Sequence, residues 1–148
     1  MKRHLLCLPL LVLLMFLLPS CDDMNSWEPV PPGGDYFYDR DLTGCWQLYQ
    51  VNSDYVRGDE VNYMQFLGDG RGWYYYYERG YQDTERFAYW CQRSVSGTSS
   101  LQINIDYEYG ETSTMNYWFS DSDTLWMQWR NSYGVQTYVY KYIANTPW

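Results

Sequence analysis

Beyond Leu42 the chain reads as short runs of β-forming residues, separated by turn residues roughly every ten positions. Eight such runs are predicted as strands: 43–51 (TGCWQLYQV), 60–67 (EVNYMQFL), 72–79 (GWYYYYER), 84–92 (TERFAYWCQ), 100–107 (SLQINIDY), 112–120 (TSTMNYWFS), 124–130 (TLWMQWR) and 135–143 (VQTYVYKYI). Leu101, Ile103 and Ile105 alternate with Gln102, Asn104 and Asp106, which is the pattern of a strand with one face buried; Leu125, Met127 and Trp129 do the same against Gln128 and Arg130. The breaks have turn chemistry. Gly68-Asp69-Gly70-Arg71-Gly72 holds an Asp-Gly pair suited to a tight hairpin, and Tyr109-Gly110, Asp121-Ser122-Asp123 and Tyr133-Gly134 mark further turns. No stretch of twelve residues past Leu42 shows helical spacing with caps. Connections this short join neighbouring antiparallel strands. The expected fold class is therefore all-β, an antiparallel eight-stranded up-and-down meander closed into a barrel, with a two-sheet sandwich as the rival.

Composition sharpens this picture. Aromatic residues make up 21% of the 148-residue chain, with 18 Tyr and 8 Trp, and such residues favour strands. Of the 10 Lys+Arg, Lys2 and Arg3 lie in the first twenty residues, which hold no acid; the remainder carries 8 basic against 18 acidic side chains, a net charge of −10. That charge repels phosphate backbones and no basic stripe offsets it, so nucleic acid is not an expected partner. The only histidine is His4.

The first residues read as an address. Lys2 and Arg3 precede Leu5–Leu18, an apolar stretch of 14 residues broken by Pro9, which suits a signal-peptide core and is too short to span a hydrocarbon layer of about 30 Å. Leu18-Pro19-Ser20-Cys21 follows and resembles the lipobox of bacterial lipoproteins, with Pro19 departing from the usual small residue. The resemblance implies cleavage before Cys21 and thioether-linked lipid on its thiol. Two or three acyl chains, at about 0.8 kcal/mol per buried CH₂, would make a durable membrane anchor. Asp22 and Asp23 look like a surface-export signal of the Bacteroidetes type, or like an inner-membrane retention signal of enteric type; an outer-membrane or cell-surface location is expected ahead of the inner membrane. The expected organisation is a leader over 1–20, lipidated Cys21 and a Pro/Gly-rich tether over 21–41, and a barrel domain over 42–148.

A second resemblance rests on Asp41-Leu42-Thr43-Gly44-Cys45-Trp46, similar to the Gly-x-Trp opening of lipocalin-like domains, and on Tyr63-Met64-Gln65-Phe66-Leu67 followed by the Asp-Gly-x-Gly turn at Gly68–Gly72. It covers roughly residues 41–143 and looks like the small lipocalin-like lipoproteins of gut Bacteroidetes. It implies that Trp46 closes the barrel floor and that the interior or mouth holds a small ligand.

Cys45 and Cys91 remain as an even pair once Cys7 and Cys21 are assigned to leader and anchor. In a meander the first strand begins, and the fourth ends, at the same end, so a Cys45–Cys91 disulfide is expected, with two buried thiols as the alternative. The absence of His beyond the leader excludes Ser-His-Asp and Cys-His catalysis and His-based zinc sites, so neither a catalytic residue, a metal nor a cofactor is expected. Asp106, Glu108 and Glu111, and Asp121 and Asp123, fall at turns and read as solvated carboxylates; a carboxylate enzyme or a calcium site is the weaker reading. With the first strand running away from the floor, the mouth loops hold Tyr55, Arg57, Tyr81, Tyr107, Tyr109 and Tyr133, a set suited to stacking on a sugar or a planar apolar ligand. Two functions stay open: a lipid-anchored binder of a small apolar or glycan ligand, and an accessory lipoprotein with a filled barrel that docks a protein partner.

Overall fold

A computed structural model describes residues 31, 33–94 and 100–144. The leader, Cys21 and most of the tether lie outside the described residues.

Nine strands form one sheet: β1 Gly44–Val51, β2 Asp54–Tyr55, β3 Glu60–Phe66, β4 Arg71–Glu78, β5 Tyr81–Arg93, β6 Leu101–Tyr107, β7 Ser113–Asp121, β8 Thr124–Asn131 and β9 Gly134–Ile143, in the spatial order β2-β1-β3 and then consecutively to β9. All neighbours pair antiparallel, and β9 returns to pair with β1 from Cys45↔Ile143 to Val51↔Tyr138. That last pairing closes an eight-stranded up-and-down barrel and removes the edges that a two-sheet sandwich would leave. The ninth strand is the two-residue β2, which pairs with the tip of β1 through Gln50↔Tyr55 and Val51↔Asp54. A bulge at Tyr49 shifts the β1–β9 register between Leu48 and Gln50 and bends β1 there.

Strand parity divides the interior in two. Near the floor, where β1 starts and β3, β5, β7 and β9 end, inward positions carry Trp46, Phe66, Phe87, Tyr89, Ile103, Tyr117 and Leu125, all buried. The rings interlock edge to face, with centroids of Phe66 5.3 Å from Phe87 and 5.0 Å from Tyr89. Gly72 makes room for this cluster, since a Cβ there would collide with the Phe87 ring and come within 2.5 Å of the Gln65 carbonyl oxygen. Gly44 opens β1 at φ +136°, and a Cβ on it would sit 2.5 Å from the ring of Tyr142. Tyr142 packs edge-on to Trp46 at 5.3 Å, so the glycine two residues before the tryptophan is a packing requirement.

Residues 36–42 cross the floor. Phe37 exchanges two backbone hydrogen bonds with Cys91, both 2.9 Å. A 3₁₀ turn over Arg40–Leu42 follows, capped by Asp39, whose Oδ1 accepts from the Asp41 amide at 3.0 Å. Asp39 Oδ2 accepts from the Tyr117 hydroxyl at 2.8 Å. Leu42 is fully buried, and its carbonyl accepts from the Trp46 indole N–H at 2.8 Å. The ladder closes on itself and buries its core within residues 36–144, so this part carries its own fold.

The expected disulfide is not formed: Cys45 and Cys91 are free, buried thiols. Both lie near the floor, but on opposite sides of the wall. Trp46 faces inward, so its neighbour Cys45 takes the outward face, whereas Cys91 faces inward with Tyr89 and Phe87. Strands β3 and β4 also stand between β1 and β5.

Candidate functional site

Above the packed floor the interior opens into a cavity of about 540 Å³, within the range of small-ligand sites. It is built from inward positions on the mouth halves of the strands. Apolar and aromatic surface comes from Leu48 and Val51 of β1, Met64 of β3, Tyr74 of β4, Tyr107 of β6 and Met115 of β7. Trp129 of β8 with Tyr138 and Tyr140 of β9 complete the ring-lined wall. Polar groups come from Glu60, Asn62, Glu85, Ser113 and Gln136.

The wall is incomplete at one seam. β1 pairs with β3 only as far as Gln47↔Tyr63, and beyond that its free side pairs with β2. Leu48 and Val51 flank this seam on one side, Glu60 and Asn62 on the other, and all four line the cavity.

The polar groups are held in place. The Tyr74 hydroxyl donates to Asn62 Oδ1, and Asn62 Nδ2 donates to Glu60 Oε1 at 3.2 Å, so a nearly buried amide links a phenol to a carboxylate. Glu85 Oε1 accepts from the Tyr109 backbone N–H at 2.7 Å and fixes the loop after β6 over the rim. Next to the rim, the Tyr76 hydroxyl donates to Glu78 Oε2, and this bond pushes the phenol's pKa up to about 12. Burial raises the pKa of Tyr74, Tyr107, Tyr138 and Tyr140 above the ordinary phenol value. The four phenols therefore stay protonated near neutral pH, each able to donate and to accept a hydrogen bond.

The six residues expected at the mouth all fall at the end of the barrel opposite the floor, in different settings. Tyr107, the last residue of β6, lines the cavity. Tyr55 on β2 is two-thirds exposed and packs edge-on to Tyr49 at 5.2 Å, on the outside of β1. Tyr81 opens β5 beside Tyr76, with centroids 6.2 Å apart. Arg57 is exposed on the β2–β3 loop, where its charge acts on Asp59. Tyr109 and Tyr133 are 84% and 96% exposed at their turns, and their side chains do not line the cavity; Tyr109 reaches it only through its backbone N–H on Glu85.

Sequence reasoning passed over Tyr74, Trp129, Tyr138, Glu60, Asn62 and Glu85, because it searched the loops and not the wall. The available signal was strand parity: Tyr74 and Glu85 are register partners on neighbouring strands, and so are Met64 and Tyr74. Trp46, expected at the floor, is buried there against Phe119 and Tyr142.

Of the other turn carboxylates, Glu108 pairs with Arg86 on the outer wall, and Asp121 accepts from Thr124 and from the Asp123 amide. Among the described residues no three Asp, Glu, Cys or His side chains gather into a metal-ligand set. Comparison with protein-family models, with curated proteins and with solved structures finds no match to this chain.

Proposed function

We propose that this chain is a lipid-anchored extracytoplasmic lipoprotein whose barrel binds, without chemical turnover, a small apolar or glycan ligand in its mouth. The observation that carries the binding half of this reading is the division of the interior: the floor half is packed with its own side chains, while the mouth half leaves about 540 Å³ among rings and fixed polar groups. A barrel serving only as a filled scaffold has no need of that volume. Protonated phenols at Tyr74, Tyr107 and Tyr138 suit a ligand with an apolar or sugar face and a few hydrogen-bonding groups.

Support for the anchor comes from the sequence, through the apolar leader and the Leu18–Cys21 lipobox-like motif. The chain enters the barrel at the floor, through residues 36–42 and then β1, so the tether from Cys21 joins the barrel at the end opposite the mouth. The acidic pair Asp22-Asp23, in its Bacteroidetes-type reading, supports outer-membrane or surface placement.

The second reading, an accessory lipoprotein that docks a protein, draws on the outer wall. There Trp118 and Trp126 stack at 5.8 Å with planes 11° apart, and Trp118 is exposed.

Two experiments test the proposal. Intrinsic tryptophan fluorescence of the chain from Asp22 to Trp148 is titrated with lipids and glycans. A saturable change lost in Trp129→Phe supports binding in the mouth, and silence across the panel favours the docking reading. Labelling of the expressed full chain with a palmitate analogue should mark wild type and not Cys21→Ser; equal labelling of both refutes the anchor.

A further inference from the structure

The wall of the mouth cavity is electrically one-sided. On β3, β4 and β5, inward positions climb toward the rim in register: Tyr74 opposite Glu85, Tyr76 opposite Asp83, and Glu60 opposite Glu78. Glu60 and Glu85 line the cavity, and Glu78 and Asp83 continue the same face above them. No Lys or Arg is among the residues lining it. Arg130 follows the lining residue Trp129 on β8 and so takes the outward face of that strand; three other arginines are engaged outside the cavity. Arg79 pairs with Asp59 at 3.1 Å, Arg86 pairs with Glu108 on the outer wall, and Arg57 faces Asp59 from its loop. Lys141 is at the floor end, donating to Thr124 at 2.6 Å.

The same cavity is lined by the rings of Tyr107, beside Glu85 on the next strand, and of Tyr138 and Trp129 on β9 and β8. An apolar body fits among these rings. A carboxylate on it would meet Glu60 and Glu85 with no cation to offset them, in a partly desolvated space where like charges repel strongly. An ammonium group would find two carboxylates and electron-rich ring faces together, the arrangement that holds organic cations. A bare divalent ion is a poorer match, since the acids do not converge as a ligand set.

We infer that the mouth cavity selects a ligand that carries an organic ammonium group on an apolar or aromatic body, and disfavours the corresponding carboxylic acids; this rests on the reading of the cavity as a ligand site. Glu60 and Glu85 are the specificity-determining residues. Asn62 and the Tyr109 amide hold those two carboxylates in place.

The test uses three probes of matched shape, 4-phenylbutylamine, 4-phenylbutan-1-ol and 4-phenylbutanoate, titrated calorimetrically at neutral pH into the chain from Asp22 to Trp148. The amine should bind about tenfold more tightly than the alcohol, and the carboxylate more weakly than the alcohol. In Glu60→Gln/Glu85→Gln, where each glutamine keeps an acceptor oxygen, the amine should fall to the alcohol's affinity while the alcohol is unchanged, which also shows that the cavity is intact. If alcohol and amine bind equally, or the carboxylate binds most tightly, the charge preference is overturned and the ligand cavity stands. If none of the three binds, both fall. The wild-type ranking decides the matter even where the double variant does not fold.

Discussion

Removing one hydroxyl from the floor tests how the barrel is sealed. Tyr117 is 2% exposed, and its phenol donates at 2.8 Å to Asp39, whose other oxygen caps the Arg40–Leu42 turn. That turn carries Leu42 into the core and presents the carbonyl that receives the Trp46 indole N–H. A hydrogen bond to a charged acceptor contributes about 1.5–3 kcal/mol. Asp39 is only half-buried and water can partly replace the phenol, so Tyr117→Phe should cost about 1–2 kcal/mol. Asp39→Ala should cost about 2–3 kcal/mol, because it also removes the cap. Urea unfolding followed by circular dichroism gives both values. In the double variant the costs should fall short of additivity by about 1 kcal/mol, since the shared bond is lost once. A Tyr117→Phe protein within about 0.3 kcal/mol of wild type, or strictly additive variants, would mean that this bond does not hold the floor strap.

Gly72→Ala should destabilise by about 1–3 kcal/mol in the same assay, because its methyl group meets the Phe87 ring and the Gln65 carbonyl; an unchanged midpoint would show that the cluster has slack there. The chain from Asp22 holds two thiols, Cys45 and Cys91, free and with pKa raised by burial. A thiol reagent should find both only after unfolding, and reductant should leave the melting temperature unchanged; a drop on reduction would reveal a bridge. Burial holds Tyr74, Tyr89, Tyr107 and Tyr117 above the ordinary phenol value of 10.0, so the folded state keeps protons that the unfolded chain releases. Stability should be intact below about pH 10 and fall as pH rises past it, with buried phenolate absorbance appearing together with loss of the β signal. Phenolates that form while the barrel stays folded would contradict this.

The alternation of apolar and polar residues located eight strands, with differences mainly at their ends, because each run buries one face and period two is visible over seven or more residues. β2 escaped notice because two exposed residues carry no period, and its partner is the free edge of β1 above Gln47. The start of β5 was read as turn because Tyr81-Gln82-Asp83 is polar and exposed, yet it pairs along β4 to Glu78. The cysteine error was one of side and not of level. Adjacency to Trp46 already sets Cys45 on the opposite face from the tryptophan, a constraint that spacing along the meander does not express. The mouth end was legible from strand direction, but the cavity wall was not. It depends on which residues of β3, β4 and β5 face each other, and that requires the register of three ladders. A loop search therefore returned Tyr109 and Tyr133, which stand in solvent, while Glu60 and Glu85 were hidden in strands whose composition looks ordinary.

The barrel is packed at its floor and holds a cavity at its mouth, and ligand entry into that cavity is the point on which the proposed function turns. Methyl-resolved NMR of the chain from Asp22 to Trp148, titrated with neutral 4-phenylbutan-1-ol, tests it most directly. Saturable shifts should appear at Leu48, Val51, Met64 and Met115, which line the cavity, and not at Leu42, Ile103 or Leu125 in the sealed floor. Shifts centred on the floor methyls, or none at the four mouth residues at saturating alcohol, would show that the alcohol does not enter the mouth cavity.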